Sequence, residues 1–250
     1  MAGVRDRYFE GPPFAGKNER WRVGVQSSGS VAIDGFVASG KSTCAKQLAE
    51  RLSYLYLDTG AMYRAVAYLA LRNGVSVDQE EALVGLLETH RVDVGIHDDS
   101  PLGYSVRIDG TEVTHRLFDP DVTSAVSAVA SQPGVRAKLV ERQREIAREG
   151  PVVMAGRDIG TVVLPDARHK FFLTASLDER ARRRQTELAE RGVDADLSEV
   201  RAQIQERDRL DETRATSPLR RAADAVLIDS TGISAEAVVE LMLASIRSAA

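Results

Sequence analysis

The chain has a single cysteine, Cys44. An internal disulfide is therefore excluded, and the Cys/His spacings of a structural zinc site are missing too. No apolar run approaches the ~20 residues that a membrane span needs. The N-terminus has no hydrophobic core of a secretory signal. A cytoplasmic protein with no membrane partner is the expectation. An excess of basic charge is also lacking: the net charge of -4 argues against a general nucleic-acid binder. The four histidines are scattered and form no evident site. What remains is ordinary. At 250 residues, 43% hydrophobic and 28% charged, the composition is that of a soluble globular protein with a substantial core, in one large or two small domains.

The chain is organised around Val31 to Thr43, VAIDGFVASGKST. The apolar run Val31 to Ile33 reads as a strand, and Asp34-Gly35 breaks it. Gly35-x-x-x-x-Gly40-Lys41-Ser42 follows without a gap. Ala45, Leu48, Ala49 and Leu52 then mark one face of a helix. Strand, glycine loop and helix together give the motif its context. Successive backbone N–H groups and the positive end of the helix converge on a polyphosphate. Gly35, Ser39, Gly40, Lys41, Ser42 and Thr43 are thus expected to hold a nucleoside triphosphate. Lys41 would bridge the outer phosphates, and the Ser42 hydroxyl would ligate Mg²⁺.

Residues 1–29 lack sustained periodicity and are rich in glycine, proline and serine, which predicts a flexible leader. The core begins at residues 30–60. Strands are expected at Tyr54–Leu57, Val152–Ala155, Lys170–Thr174 and Ala225–Asp229, with helices between them. Asp78 and Glu81 have the spacing of an N-cap and its N3 partner for a helix from Gln79 to Thr89. From Arg91 the period changes to 2, and Asp109-Gly110 signals a hairpin. Glu112 to Leu117 is a candidate third strand. This patch predicts an insert, residues 61–130, before the core resumes at 131–250. Ser176-x-x-Glu179 is a capping box for a helix to Glu190, and Ser234 caps the terminal helix. Five strand signals with intervening helices predict an α/β, doubly wound parallel sheet.

Three blocks carry a resemblance: Asp58-Thr59-Gly60-Ala61-Met62-Tyr63-Arg64, Gly156-Arg157-Asp158-Ile159-Gly160-Thr161, and Arg207-Asp208-x-x-Asp211-x-x-Arg214. Their order and spacing resemble the bacterial cytidylate kinases from about Val31 to Ala244. The resemblance implies a P-loop nucleoside monophosphate kinase with a five-stranded parallel sheet. Its insert would bind the monophosphate, and a short arginine-rich lid would lie at 186–219. The implied reaction transfers the ATP γ-phosphate to CMP or dCMP, with Mg²⁺, in a monomer. By resemblance Thr59, Tyr63, Arg64, Ser127, Arg136, Arg157, Asp158, Arg207, Asp211 and Arg214 hold CMP, and Arg180 and Arg184 contact ATP. Lys41, Arg157, Asp158 and Arg214 would act on the transferred phosphate.

The residue types suit that chemistry, because phosphoryl transfer needs positioning and charge neutralisation more than a base. Arginine's planar fork fits phosphate and stays charged. Residues 180–221 hold eleven arginines and nine acidic residues, a balance of only +2, which suits a lid better than a nucleic-acid surface. The chain departs from the family pattern at three points. Relatives carry Pro and Gly where Phe36 and Ala38 stand, and an acid where Ala155 stands. Both loop residues fit if the backbone there avoids positive φ. Two rival readings are a P-loop kinase for another acceptor and a nucleotide switch that does not catalyse. The first and third blocks speak against the former, and the arginine set against the latter.

Overall fold

The structure is a computed structural model and describes residues 29–96 and 102–248. Apart from its last glycine, the expected leader lies outside the described residues, as do residues 97–101. The first half contains β1 (Val31–Gly35), α1 (Lys41–Leu52), β2 (Leu55–Asp58), α2 (Thr59–Arg72), α3 (Glu80–Thr89), β3 (Val92–Ile96), β4 (Tyr104–Ile108) and β5 (Thr111–Glu112). Then come α4 (Pro120–Ser131), α5 (Pro133–Glu149), β6 (Val152–Gly156), β7 (His169–Thr174), α6 (Leu177–Glu190), α7 (Leu197–Thr213), β8 (Val226–Asp229) and α8 (Ala235–Ser248).

The five-stranded sheet has the order β2–β6–β1–β7–β8, and every pairing in it is parallel. This is the expected doubly wound α/β architecture. Parallel strands covered on both faces read as continuous apolar runs, and β1 is buried throughout. Ile33, Leu48, Leu57, Met154 and Phe171 are among the fully buried side chains of the central core, each stabilising the fold by about 1.5–3 kcal/mol. The register sets Asp34 opposite Gly156, and Asp58 opposite Ala155. The carboxyl ends of β1, β2 and β6 therefore open onto one crevice, at the point where doubly wound sheets bind ligands.

The antiparallel patch is present as the sheet β3–β4–β5, but β5 stops at Glu112 and Thr114–Phe118 form a 3₁₀ turn. The strand expected to continue to Leu117 is cut short by Thr114. Its hydroxyl accepts from the Val106 N–H at 2.8 Å, taking a donor that a continuing ladder would use. This patch shares the central core, since Val92, Tyr104, Val106 and Leu117 belong to the same apolar cluster as Ile33. The α6–α7 pair is different. Ala181, Val200 and Ile204 form a separate small core, packed against Val37 and Ala38 of the glycine loop.

Pro120 and Pro133 each open a helix, the place where a missing N–H costs least, and so divide α4 from α5. Asp78 does not cap α3: Gln79 holds that position without a side-chain bond, and Glu80 reaches instead to the Gly134 N–H. The capping box of α6 forms only in part. Ser176 accepts from the Glu179 N–H at 3.3 Å, but Glu179 turns to Arg183, and the Ser176 N–H finds Thr231. Ser234 accepts from the Ala237 N–H, as expected of a cap.

Candidate active site

Gly35 has φ +145, and a Cβ there would fall 2.0 Å from the Leu173 carbonyl oxygen. Only glycine lets β1 turn into the loop while β7 runs alongside. Gly40 sits in the left-handed region just before α1. Ala38 lies there too, at φ 56. The condition that its backbone avoid positive φ is not met, and a non-glycine residue there costs roughly 1 kcal/mol. Its methyl group packs into the small α6–α7 core, which offsets that strain. Phe36 stacks edge-on to Phe172 with ring centroids 5.7 Å apart.

Lys41 is buried, and its ammonium donates to the Phe36 carbonyl and, at 3.4 Å, to the Ser39 hydroxyl. Burial, and after it the nearby Arg157, pushes this ammonium well below its ordinary pKa. A site that disfavours its own cation is one that an anion completes. Ser42 donates to Asp58 Oδ2 at 3.2 Å, so two hard oxygens lie together at the mouth of the loop. Asp34 anchors the far wall. Its two carboxylate oxygens accept the N–H groups of Ile159 and Gly160 at 2.8 and 2.7 Å. These open a π-helical turn at Ile159–Val163 that the sequence pattern did not signal. Burial pushes the Asp34 carboxyl up to about 6, against the pull of those two donors.

Gly156 brings the second block close. A Cβ there would meet Thr59 Oγ1 at 2.7 Å and Ile159 Cδ1 at 2.6 Å. Thr59 does not cap α2; Asp58 does, by accepting the Gly60 N–H. The Thr59 hydroxyl donates instead to the Ala155 carbonyl at 2.9 Å. Ala155 leaves the orientation of Arg157 to Asp211, which accepts from Arg157 Nε at 2.7 Å. Burial alone would raise the Asp211 carboxyl, but Arg157 and its neighbours hold it below the usual carboxylate range. Arg136 and Asp158 form a buried ion pair, with the Tyr63 ring 5.3 Å from the guanidinium carbon. Burial pushes the Tyr63 hydroxyl up to about 12. Arg64 donates to the Leu117 carbonyl and to the Thr123 hydroxyl and lies over Phe118.

The third block converges from α7. Arg207, Asp211 and Arg214 all line the same cavity, of about 520 Å³, as Lys41, Thr59, Ser127 and Arg136. The helix stops at Thr213, so Arg214 reaches the cavity from its C-cap. Arg214 Nε donates to the Ser217 carbonyl at 2.6 Å, while Nη2 stands 3.9 Å from Asp158 and has no hydrogen-bond partner among the described residues. Burial, with Arg157 adding to it, lowers the Arg207 pKa to about 10. Buried cations gathered without enough carboxylates make a receptor for phosphate.

Gly40, Ser42, Thr43, Tyr63, Arg64, Arg157, Asp158 and Arg184 also line this cavity. Gly35 and Ser39 shape the loop from behind it. Arg180 is not brought to it. It is buried beneath the loop, where it donates to Ala175 and Val37 carbonyls and pairs with Asp208. Arg183 is one cavity residue that the sequence reading missed, as are Asp58, Tyr104 and Glu187. Arg183 lies one helical turn from Arg180, a spacing that places it on the same face.

A model of the cytidylate kinase family matches residues 31–248. The chain belongs to the cytidylate kinase family. A cytidylate kinase of Geobacillus kaustophilus is 52% identical over 214 residues, covering 86% of this chain and 94% of that protein. One of Enterococcus faecalis is 51% identical over 210 residues, covering 84% and 92%. An uncharacterised protein from Eubacterium ventriosum shares the fold, with a TM-score of 0.51 at 12% identity over 87% of this chain and 98% of its own. Cytidylate kinase membership accounts for the three blocks together, whereas a glycine loop alone fits any P-loop protein. Among the described residues no helix is long and apolar enough to cross a membrane.

Proposed function

We propose that this chain transfers the γ-phosphate of ATP directly to CMP or dCMP, yielding ADP and CDP or dCDP. One observation carries the reading: a single cavity joins the anion nest around Lys41 to the buried arginine–carboxylate cluster of Arg136, Arg157, Asp158, Arg207, Asp211 and Arg214. A nucleotide switch needs the first half and has no use for the second. Gly40, Lys41, Ser42 and Thr43 hold the ATP phosphates, and Arg183 and Arg184 flank them. Thr59, Tyr63, Arg64, Ser127, Arg136 and Asp158 hold CMP, and of these Tyr63, Arg64 and Ser127 belong to an acceptor-binding insert at 61–130. Arg157, Arg207 and Arg214 neutralise charge between the two nucleotides. Arg180 supports the loop.

The implied Mg²⁺ fits the donor set. Ser42 and Asp58 offer hard oxygens, and no group of three or more His, Cys, Asp or Glu able to form a protein cage occurs among the described residues. Mg²⁺ of kinase sites takes one or two protein ligands and completes its shell with phosphates and water. When bound with ATP it neutralises the developing charge on the phosphates. We read the enzyme as a cytoplasmic monomer.

The test is a coupled ADP-release assay with Mg-ATP against a panel of nucleoside monophosphates. Turnover with CMP and dCMP is expected to exceed that with AMP and GMP by at least about a hundredfold, since a site built to hydrogen-bond one base edge leaves its polar groups unpaired with another. Equal turnover across the panel, or none with any pyrimidine, would overturn the reading.

A further inference from the structure

The peptide unit between Phe36 and Val37 is held at both ends. Lys41 donates to its carbonyl oxygen, and its N–H donates to Asp208 Oδ1 at 3.4 Å. Asp208 lies on α7, next to Arg207 and one turn before Asp211. Its second oxygen pairs with Arg180, which itself donates to the Val37 carbonyl at 3.3 Å and stacks over the Phe36 ring with its guanidinium carbon 5.1 Å from the centroid. Asp208 and Arg180 are both buried. Val37 and Ala38 add their side chains to the small α6–α7 core. The phosphate loop and the lid helices are thus joined by packing and by one shared peptide.

Lys41 is also the group that a bound polyphosphate attracts, and a phosphate oxygen is a stronger acceptor than a peptide carbonyl. When Lys41 turns to the phosphate, the Phe36 carbonyl loses its charged donor and is left with the Ser39 hydroxyl at 2.9 Å and the Ser39 N–H at 3.4 Å. The other end of the peptide is fixed to Asp208, so the change is felt on α7. We infer that Asp208 and Arg180 are positioning residues that couple ATP in the loop to the acceptor-binding arginines of α7. This rests on the reading of the site as an ATP–CMP phosphotransferase. The effect is reciprocal, because a coupling free energy acts equally on both ligands.

The experiment measures CMP affinity by calorimetry on the full chain, with and without saturating Mg²⁺ and the non-hydrolysable analogue AMP-PNP. In the wild type, AMP-PNP is expected to tighten CMP binding by at least about fivefold. Asp208→Ala should reduce that enhancement below about twofold, while Asp208→Asn, which keeps an acceptor for the Val37 N–H, retains most of it. Asp208→Ala leaves the Arg180 charge buried without its carboxylate, bonded only to the Ala175 and Val37 carbonyls among the described residues. The double variant Arg180→Met/Asp208→Leu removes both charges at similar volume, a change that buried pairs tolerate, and is expected to lose the enhancement as well. A wild type that binds both ligands independently would overturn the coupling, as would an undiminished enhancement in Asp208→Ala or the double variant. A wild type that binds neither CMP nor AMP-PNP would instead overturn the functional reading beneath it.

Discussion

Lys41→Ala lowers kcat by about a hundredfold to a thousandfold while leaving the fold in place. The ammonium sits in a dry pocket at the head of α1, where a phosphate-directed charge acts with little screening. Its loss removes stabilisation of charge that develops on the transferred group. The fold does not depend on it, because among the described residues its side chain bonds only to the Phe36 carbonyl and the Ser39 hydroxyl of its own loop. Burying that cation is itself unfavourable, so its removal is expected to shift Tm by no more than about 4 °C. Single-turnover kinetics and a circular dichroism melt check both statements. A folded variant retaining more than about a tenth of wild-type kcat would show that the loop holds ATP without taking part in transfer.

Arg214→Lys produces the second large effect, again of about a hundredfold or more in kcat, with ATP affinity changed far less. The Arg214 guanidinium uses Nε to grip the Ser217 carbonyl and leaves Nη2 buried, 3.9 Å from Asp158 and with no hydrogen-bond partner among the described residues. It can therefore be held by the protein and still donate into the cavity. Lysine keeps the charge but has one nitrogen for two tasks. An equilibrium titration of ATP beside single-turnover kinetics separates the steps. If ATP binding weakens as much as the chemical step slows, Arg214 is an ordinary ATP ligand and does not act between donor and acceptor.

What could be read from the sequence is what local pattern determines. The glycine loop and the apolar runs of β1, β6 and β7 are properties of short segments, and each appears where expected. Arg207, Asp211 and Arg214 meet at one cavity, though Arg214 stands at the C-cap of α7 and not within it. What could not be read depends on partners far along the chain. Arg180 resembles its neighbours in an arginine run, yet its partner Asp208 stands 28 residues on and draws it under the loop. Asp34 looks like a strand breaker until Ile159 and Gly160, 125 and 126 residues away, present their N–H groups to it. The end of β5 was hidden for a similar reason, since Thr114 is a good strand residue whose hydroxyl captures a ladder donor. Ala38 shows the limit of motif comparison: its φ of 56 is unfavourable alone and makes sense only beside the α6–α7 core.

The most direct test of phosphotransferase function follows the phosphorus itself. Incubating the full chain with Mg²⁺, CMP and ATP labelled at the γ-phosphate should place the label in the β-phosphate of CDP, one for one with the ADP formed. Label recovered only as inorganic phosphate, at a rate indifferent to CMP, would mean that water and not the acceptor takes the phosphate, and would contradict the assignment of the arginine–carboxylate cluster to a second nucleotide.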